Sequence, residues 1–227
     1  MYAAFPAFLQ ATLQANEAAV LLLHREQAPA LFDGVLPVFP LTVQEQEKVA
    51  RFRDPVQRDL YVLGRKCARG LIARVLMERG QPAPNAIPWM PDTKGRPGCP
   101  LAGAPDVNLS HTGEWLAVGW VPSGRVGVDL EHTTRTVAME RVAGRCFHAR
   151  ELDAVGGMHA EGFFRLWTRK EAWSKATGLG IAGADLRQVD TFALEDSGAW
   201  CFSEWCPIAG LQLCVVARCR ARLFYLS

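Results

Sequence analysis

The first strongly apolar run along the chain is Val20-Leu21-Leu22-Leu23, which has the length of a strand and is far too short to span a bilayer. Between Thr42 and Gly80 the pattern predicts two helices. Thr42 caps the first, and Glu45, three residues on, completes a capping box. The second is expected from about Val56 to Glu78 and stops at Gly80, with Pro82 and Pro84 beyond. Its Arg58, Arg65, Arg69 and Arg74 are too many to explain as one solvated stripe. A proline-rich section follows, carrying the turn Lys94-Gly95-Arg96-Pro97-Gly98. Short strand-like runs come next: Val107 to Ser110, Trp115 to Val121, and Arg125 to Leu130. The last two are separated by the turn Pro122-Ser123-Gly124. One helix is expected from about Val137 through Leu152, and another from Gly162 to Ala176, ended by Gly178. From Val189 to Ser227 the pattern predicts strands, with Leu211 to Val216 as the most apolar run. Helices then strands, twice over, give an α+β architecture in two halves, 1–124 and 125–227.

Composition narrows the functional classes. The formal net charge is +2 across 227 residues, which excludes bulk nucleic-acid binding but leaves room for a local basic site for a small anion. The seven cysteines are odd in number and form no CxxC pair, as expected of reduced thiols in the cytoplasm. The first basic residue is Arg25, so the charged start of a secretory signal is missing, and no membrane segment is expected.

Three stretches can carry chemistry. In Gly127-Val128-Asp129-Leu130-Glu131 a strand alternates its faces, so Asp129 and Glu131 point one way while Val128 and Leu130 point into the core. Two adjacent carboxylates repel, so the pair is either a solvated strand edge or a seat for a hard cation such as magnesium. In the helix around Trp167, Glu171 and Lys175 the three side chains recur at i, i+4 and i+8 and share one face. Glu171 can complete a metal site with Asp129 and Glu131. In Asn108-Leu109-Ser110-His111-Thr112 the histidine is either a structural hydrogen bonder or a holder of phosphate oxygen. Lys94, Arg96 and the helix arginines carry the same two readings. Carboxylates, cations and a histidine without an evident nucleophile suit transfer chemistry on a phosphoanhydride, where positioning and charge neutralisation dominate. Neither a P-loop nor a Rossmann glycine motif is present.

Two of these stretches, Gly127-Val128-Asp129-Leu130-Glu131 and Trp167-Thr168-Arg169-Lys170-Glu171-Ala172-Trp173-Ser174-Lys175, resemble the two signatures of the Sfp-type 4′-phosphopantetheinyl transferases. Asn108 to Thr112 and Gly95-Arg96-Pro97 are similar to two shorter motifs of that family. Gly64-Arg65-Lys66-Cys67-Ala68-Arg69 is similar to a stretch in the branch that includes enterobactin synthase component D. The resemblance covers roughly residues 45 to 190. It implies a pseudo-dimer of two similar α+β subdomains, each with a small antiparallel sheet and helices, with the cofactor in the cleft between them. It implies Asp129, Glu131 and Glu171 as ligands of magnesium or manganese, and Lys175 near the pyrophosphate of coenzyme A. Arg96, Ser110 and His111 fall on residues that hold the coenzyme's phosphates and nucleotide, and Arg51 and Arg65 on the 3′-phosphate pocket. Where the founding member has one further lysine, this chain has Glu45.

The activity so implied moves phosphopantetheine from coenzyme A to a serine of an acyl or peptidyl carrier protein, in fatty-acid, polyketide or nonribosomal-peptide synthesis. Glu171, directly or through a metal-bound water, or else Lys175, takes the serine proton. The carrier is expected to dock along about Thr133 to Ala154, where Val137, Met139, Val142 and Phe147 are either a docking surface or core. Arg135, Arg141, Arg145 and Arg150 would suit an acidic partner. A monomer is expected. The alternatives are a non-catalytic coenzyme A or carrier-binding module, and a magnesium-dependent phosphohydrolase that would release phosphopantetheine without a carrier.

Overall fold

The computed structural model describes residues 4–32, 35–82, 85–180 and 185–226. The chain runs α1 (Phe5–Ala15), β1 (Ala18–His24), α2 (Ala28–Phe32), α3 (Val43–Ala50), α4 (Pro55–Glu78), β2 (Met90–Pro91), β3 (Pro97–Gly98), β4 (Asp106–Thr112), β5 (Trp115–Val121) and β6 (Gly127–His132). It continues with α5 (Met139–Cys146), α6 (Ala149–Ala154), α7 (Ala160–Thr177), α8 (Thr191–Asp196), β7 (Cys201–Trp205), β8 (Leu211–Ala217) and β9 (Ala221–Leu226).

The continuous apolar run at Val20–Leu23 is explained by burial on both sides. In β1, Ala19, Leu21 and Leu23 face a core shared with α1 and α4, while Ala18, Val20 and Leu22 face a second core. That second core joins β1 and β5 to β6 and β8, so the inner faces of two sheets pack against each other. Beyond β8, Cys214 and Val216 turn outward to a third core around α7. The layers are therefore helix, sheet, sheet, helix. The first sheet has the order β4-β5-β1-β9 and is antiparallel except where β9 runs parallel to β1. The second is antiparallel, β6-β8-β7, and β2 with β3 makes a separate short hairpin. The last strand thus lies in the sheet of the first half, although the sequence division places it in the second. No described helix is long and apolar enough to cross a membrane.

The expected helix ends hold. Both bonds of the Thr42–Glu45 capping box form, and Asp54 caps α4. Two expectations need correction. The helix expected from Val137 through Leu152 is two helices, because Phe147 leaves helical geometry to bury its ring and His148 caps a new start with Glu151. The tail expected as strands from Val189 opens instead with α8, capped by Asp190.

Candidate active site

The site is built where the two sheets meet edge to edge. Along β4, Asp106, Asn108 and Ser110 lie two residues apart and point to one side. Each accepts a backbone N–H from the strand beside it: Asp106 from Val126 at 2.8 Å, Asn108 from Val128 at 2.9 Å, and Ser110 from Leu130 at 3.2 Å. A ladder of side chains thus satisfies the free edge of β6, whose other edge pairs with β8. On the faces of β6, Val128 and Leu130 enter the inter-sheet core, as alternation predicts. Asp129 and Glu131 point instead toward α7.

Gly127 lets α7 come close. A Cβ there would sit 1.9 Å from the Ala172 carbonyl oxygen, so no larger residue fits beneath the helix. On the facing stripe of α7 the expected spacing is realised. The Trp167 indole N–H donates to Glu131 Oε1 at 3.0 Å, and Lys175 Nζ lies 2.6 Å from Asp129 Oδ1. The same ammonium donates to the Val128 carbonyl at 3.0 Å and approaches Ser110 Oγ at 3.2 Å. Glu131 also accepts from Arg135 at 2.8 Å.

The charges do not balance. Asp129 is buried, and its Oδ2 has no hydrogen-bond partner among the described residues. Burial, then the neighbouring Asp129 charge, pushes the Glu171 carboxyl up to about 7, against the pull of Lys175. Glu131 is raised for the same first two reasons. An orphaned buried oxygen beside carboxyls that resist ionisation fits a magnesium-type cation, which takes one or two carboxylates and completes its shell with water and substrate phosphate. The expected trio is not a closed cage. Among the described residues no three His, Cys, Asp or Glu side chains form a ready-made metal cluster.

Beside the acids, a cavity of about 350 Å³ is lined by Lys48, Tyr61, Arg65, Trp89, His111 and Lys175 among others. A neighbouring one of about 360 Å³ is bordered by Glu171, Ser174 and Gly178 and shares Pro97, Asn108 and Lys175 with the first. Arg65 lies over both the Tyr61 and Trp89 rings, 4.7 and 5.8 Å from their centroids, and Lys48 lies 4.8 Å from Tyr61. His111 is held below its ordinary pKa by desolvation and then by Lys175, so its ring is kept neutral.

The sequence residues therefore divide. Asp129, Glu131, Glu171, Lys175 and Ser110 gather at one place, and Arg65 and His111 line the adjoining cavity. Arg51 stands exposed at the end of α3 and is not among the cavity's lining residues. Arg96 is buried, with its guanidinium turned to protein acceptors. Glu45, the departure from the founding member's lysine, is buried against Arg69 at 2.8 Å and faces Arg65 at 3.3 Å. No pattern in the sequence singles out Tyr61 and Trp89 as lining residues. Their signal is slight, since an aromatic beside a basic helix position most often does no more than pack.

Acids with an unmatched oxygen beside a cation-lined cavity are the features of a site for a phosphate-bearing substrate. Comparison with known proteins is more specific: the chain belongs to the 4′-phosphopantetheinyl transferase superfamily, whose model matches residues 125–214. The chain is 30% identical over 180 residues to the 4′-phosphopantetheinyl transferase HetI of a Nostoc species, covering 74% of each chain. It is 31% identical over 178 residues to a phosphopantetheinyl transferase of a Thraustochytrium species, covering 70% of this chain and 59% of that one. It is 25% identical over 167 residues to the 4′-phosphopantetheinyl transferase Sfp of Bacillus subtilis, covering 66% of this chain and 70% of that one. The matched stretch spans about six tenths of the length of the Thraustochytrium relative and of a Synechocystis relative.

Proposed function

We propose that this chain transfers the phosphopantetheine arm of coenzyme A to a serine of an acyl or peptidyl carrier protein, releasing adenosine 3′,5′-bisphosphate. The observation that carries this reading is the junction of Lys175, Asp129 and Ser110, with its orphaned oxygen, opening on a cavity lined by Lys48, Arg65 and His111. The names of the relatives point the same way. In this reading the two α+β halves form a pseudo-dimer, divided at the turn after β5, with the coenzyme in the cleft at their shared edge. The protein acts as a cytoplasmic monomer.

Asp129, Glu131 and Glu171 would hold magnesium or manganese. Bound there, the ion neutralises the pyrophosphate and the charge that grows on the leaving bisphosphate. Lys175 steadies the pyrophosphate oxygens. Arg65 and Lys48 hold the 3′-phosphate end, with Tyr61 and Trp89 as flat apolar walls. The neutral His111 ring donates one hydrogen bond without adding charge. The attacking hydroxyl belongs to the carrier, so the chain needs no nucleophile of its own. Glu171 is the better base of the two candidates: its pKa of about 7 lies near working pH. Lys175 already points its protons at three acceptors.

The carrier would dock on the exposed side of α5. Phe147 is core, and Val137, Met139 and Val142 are half-buried against it, so little apolar surface remains there. Arg141 and Arg145 are exposed and have no ion-pair partner among the described residues, which leaves them for an acidic partner. By contrast, Arg135 is paired with Glu131 and Arg150 with Asp190 and Asp196.

The test is to incubate the protein with coenzyme A, magnesium and apo carrier and to weigh the intact carrier. A gain of one phosphopantetheine arm, lost with EDTA and with Lys175→Ala, supports the reading. Coenzyme A binding with no gain on any carrier would leave a binding module. Phosphopantetheine released without carrier would identify a hydrolase.

A further inference from the structure

Arg96 borders the second cavity, yet every hydrogen bond its guanidinium makes among the described residues goes to a protein acceptor. Its Nη1 and Nη2 grip both oxygens of Asp106 at 2.7 and 2.6 Å, and Nη2 also donates to the Val126 carbonyl at 2.6 Å. Its Nε donates to the carbonyl of Lys175 at 2.7 Å. A fork held in two-point register with a carboxylate, itself buried, is a fixed part and not a mobile phosphate hook. What it fixes is the last turn of α7. The C-terminal carbonyls of a helix lack intrahelical donors and carry partial negative charge, which a guanidinium answers on both counts. Lys94, across the same hairpin turn, points at the Thr177 carbonyl, and the stems of Lys94 and Arg96 pack on Gly178, the left-handed cap of α7.

We propose that Arg96, locked by Asp106, is a positioning residue for Lys175 and takes no part in holding coenzyme A. The β2–β3 turn belongs to the first half of the chain and α7 to the second. Asp106 is the first rung of the side-chain ladder from β4 to β6, so the latch registers α7 on the same strand that carries Asp129. Lys175 lies within the clamped last turn. Its ammonium meets Asp129 Oδ1 and Ser110 because its own carbonyl is pinned from behind. Slackening the latch lets that ammonium drift from the acids and from the pyrophosphate, while the part of the cavity formed by Lys48, Tyr61 and Arg65 keeps its shape. The inference rests on the transferase reading for its kinetic arm and on geometry alone for its binding arm.

The variants are Arg96→Lys, which keeps the charge and loses the fork, and Asp106→Asn, which keeps the shape and loosens the grip. Both are assayed below their melting temperatures for turnover on apo carrier and, by calorimetry, for affinity toward coenzyme A. The expected result is a turnover at least tenfold lower in each, coenzyme affinity lowered by less than tenfold and to the same extent in both, and a double variant no worse than the poorer single one. A tenfold loss of coenzyme affinity in Arg96→Lys with normal affinity in Asp106→Asn would make Arg96 a phosphate ligand and overturn the proposal. Turnover within twofold of the parent in both variants would overturn it as well. Parent turnover in the same assay separates the two claims. Without it the transferase reading fails, and Arg96 is judged on coenzyme affinity alone, where any tenfold loss counts against it.

Discussion

Arg169, Lys170 and Glu171 are consecutive on α7, yet the helix puts them into opposite electrostatic worlds. Arg169 is fully buried, bonded to Glu204 at 2.7 Å and Glu195 at 2.8 Å, with the rings of Phe192 and Phe202 on it at 4.2 and 4.1 Å. Lys170 is also fully buried, 2.8 Å from Glu151, and donates to the carbonyls of Leu186 and Val189. Glu151 in turn accepts from the Thr191 backbone and hydroxyl and from His148. Each of these buried charges has its complement. On the other side Asp129 keeps an unpartnered oxygen and Glu171 resists ionisation near neutral pH. The difference teaches where the protein is complete and where it awaits something. The matched side welds α6, α7 and α8 together, and the unmatched side is where, in the proposed function, a cation and phosphates would bind.

The sharpest way to break this comparison is to unbalance the matched side. Lys170→Met leaves Glu151 buried with its charge uncompensated, and removing one partner of such a pair costs about 3–5 kcal/mol. For a chain of this size the expected melting loss is roughly 10 °C, read by calorimetry or circular dichroism. A loss of only a degree or two would show that the matched side is not holding the helices. A smaller effect is expected outside both faces. Reversing the charges of Arg141 and Arg145 should raise KM for carrier about tenfold or less, in keeping with rim charges, and leave KM for coenzyme A unchanged. If both constants stayed put, the α5 surface would not be the docking face.

How much of this was legible in the sequence follows the range of the interactions. Capping of α3 by Thr42 and Glu45 is a three-residue affair, and it was readable. The shared direction of Asp129 and Glu131 follows from strand alternation, and that of Trp167, Glu171 and Lys175 from the helical repeat, so the core of the site was readable too. Long-range partners were not. Nothing local tells that Arg96 will spend itself on Asp106, that Glu45 will meet Arg69, or that Lys170 will find Glu151. Each is decided by how separate elements pack, even where the partners, like Arg96 and Asp106, are only ten residues apart. The parallel return of β9 to β1 is of the same kind. The break at Phe147 was hidden because its cause is the burial of a ring, while the capping histidine after it is an uncommon cap.

The central claim is that the acid face of α7 is unbalanced until a divalent cation arrives, and melting temperature against pH tests it without any assay of turnover. A carboxyl whose pKa rises on folding, from 4.5 to about 7 for Glu171, contributes stability below the lower value and loses it as pH climbs through the higher. In the metal-free protein the melting temperature should therefore fall between about pH 4.5 and 7, with on the order of 2 kcal/mol at stake. Glu171→Gln should remove most of that fall and, at pH 8 without metal, melt above the parent. Added magnesium should then raise the parent by several degrees and the variant by much less, narrowing or reversing the gap. A parent indifferent to magnesium at pH 8, with Glu171→Gln melting no higher than the parent in its absence, would contradict the account.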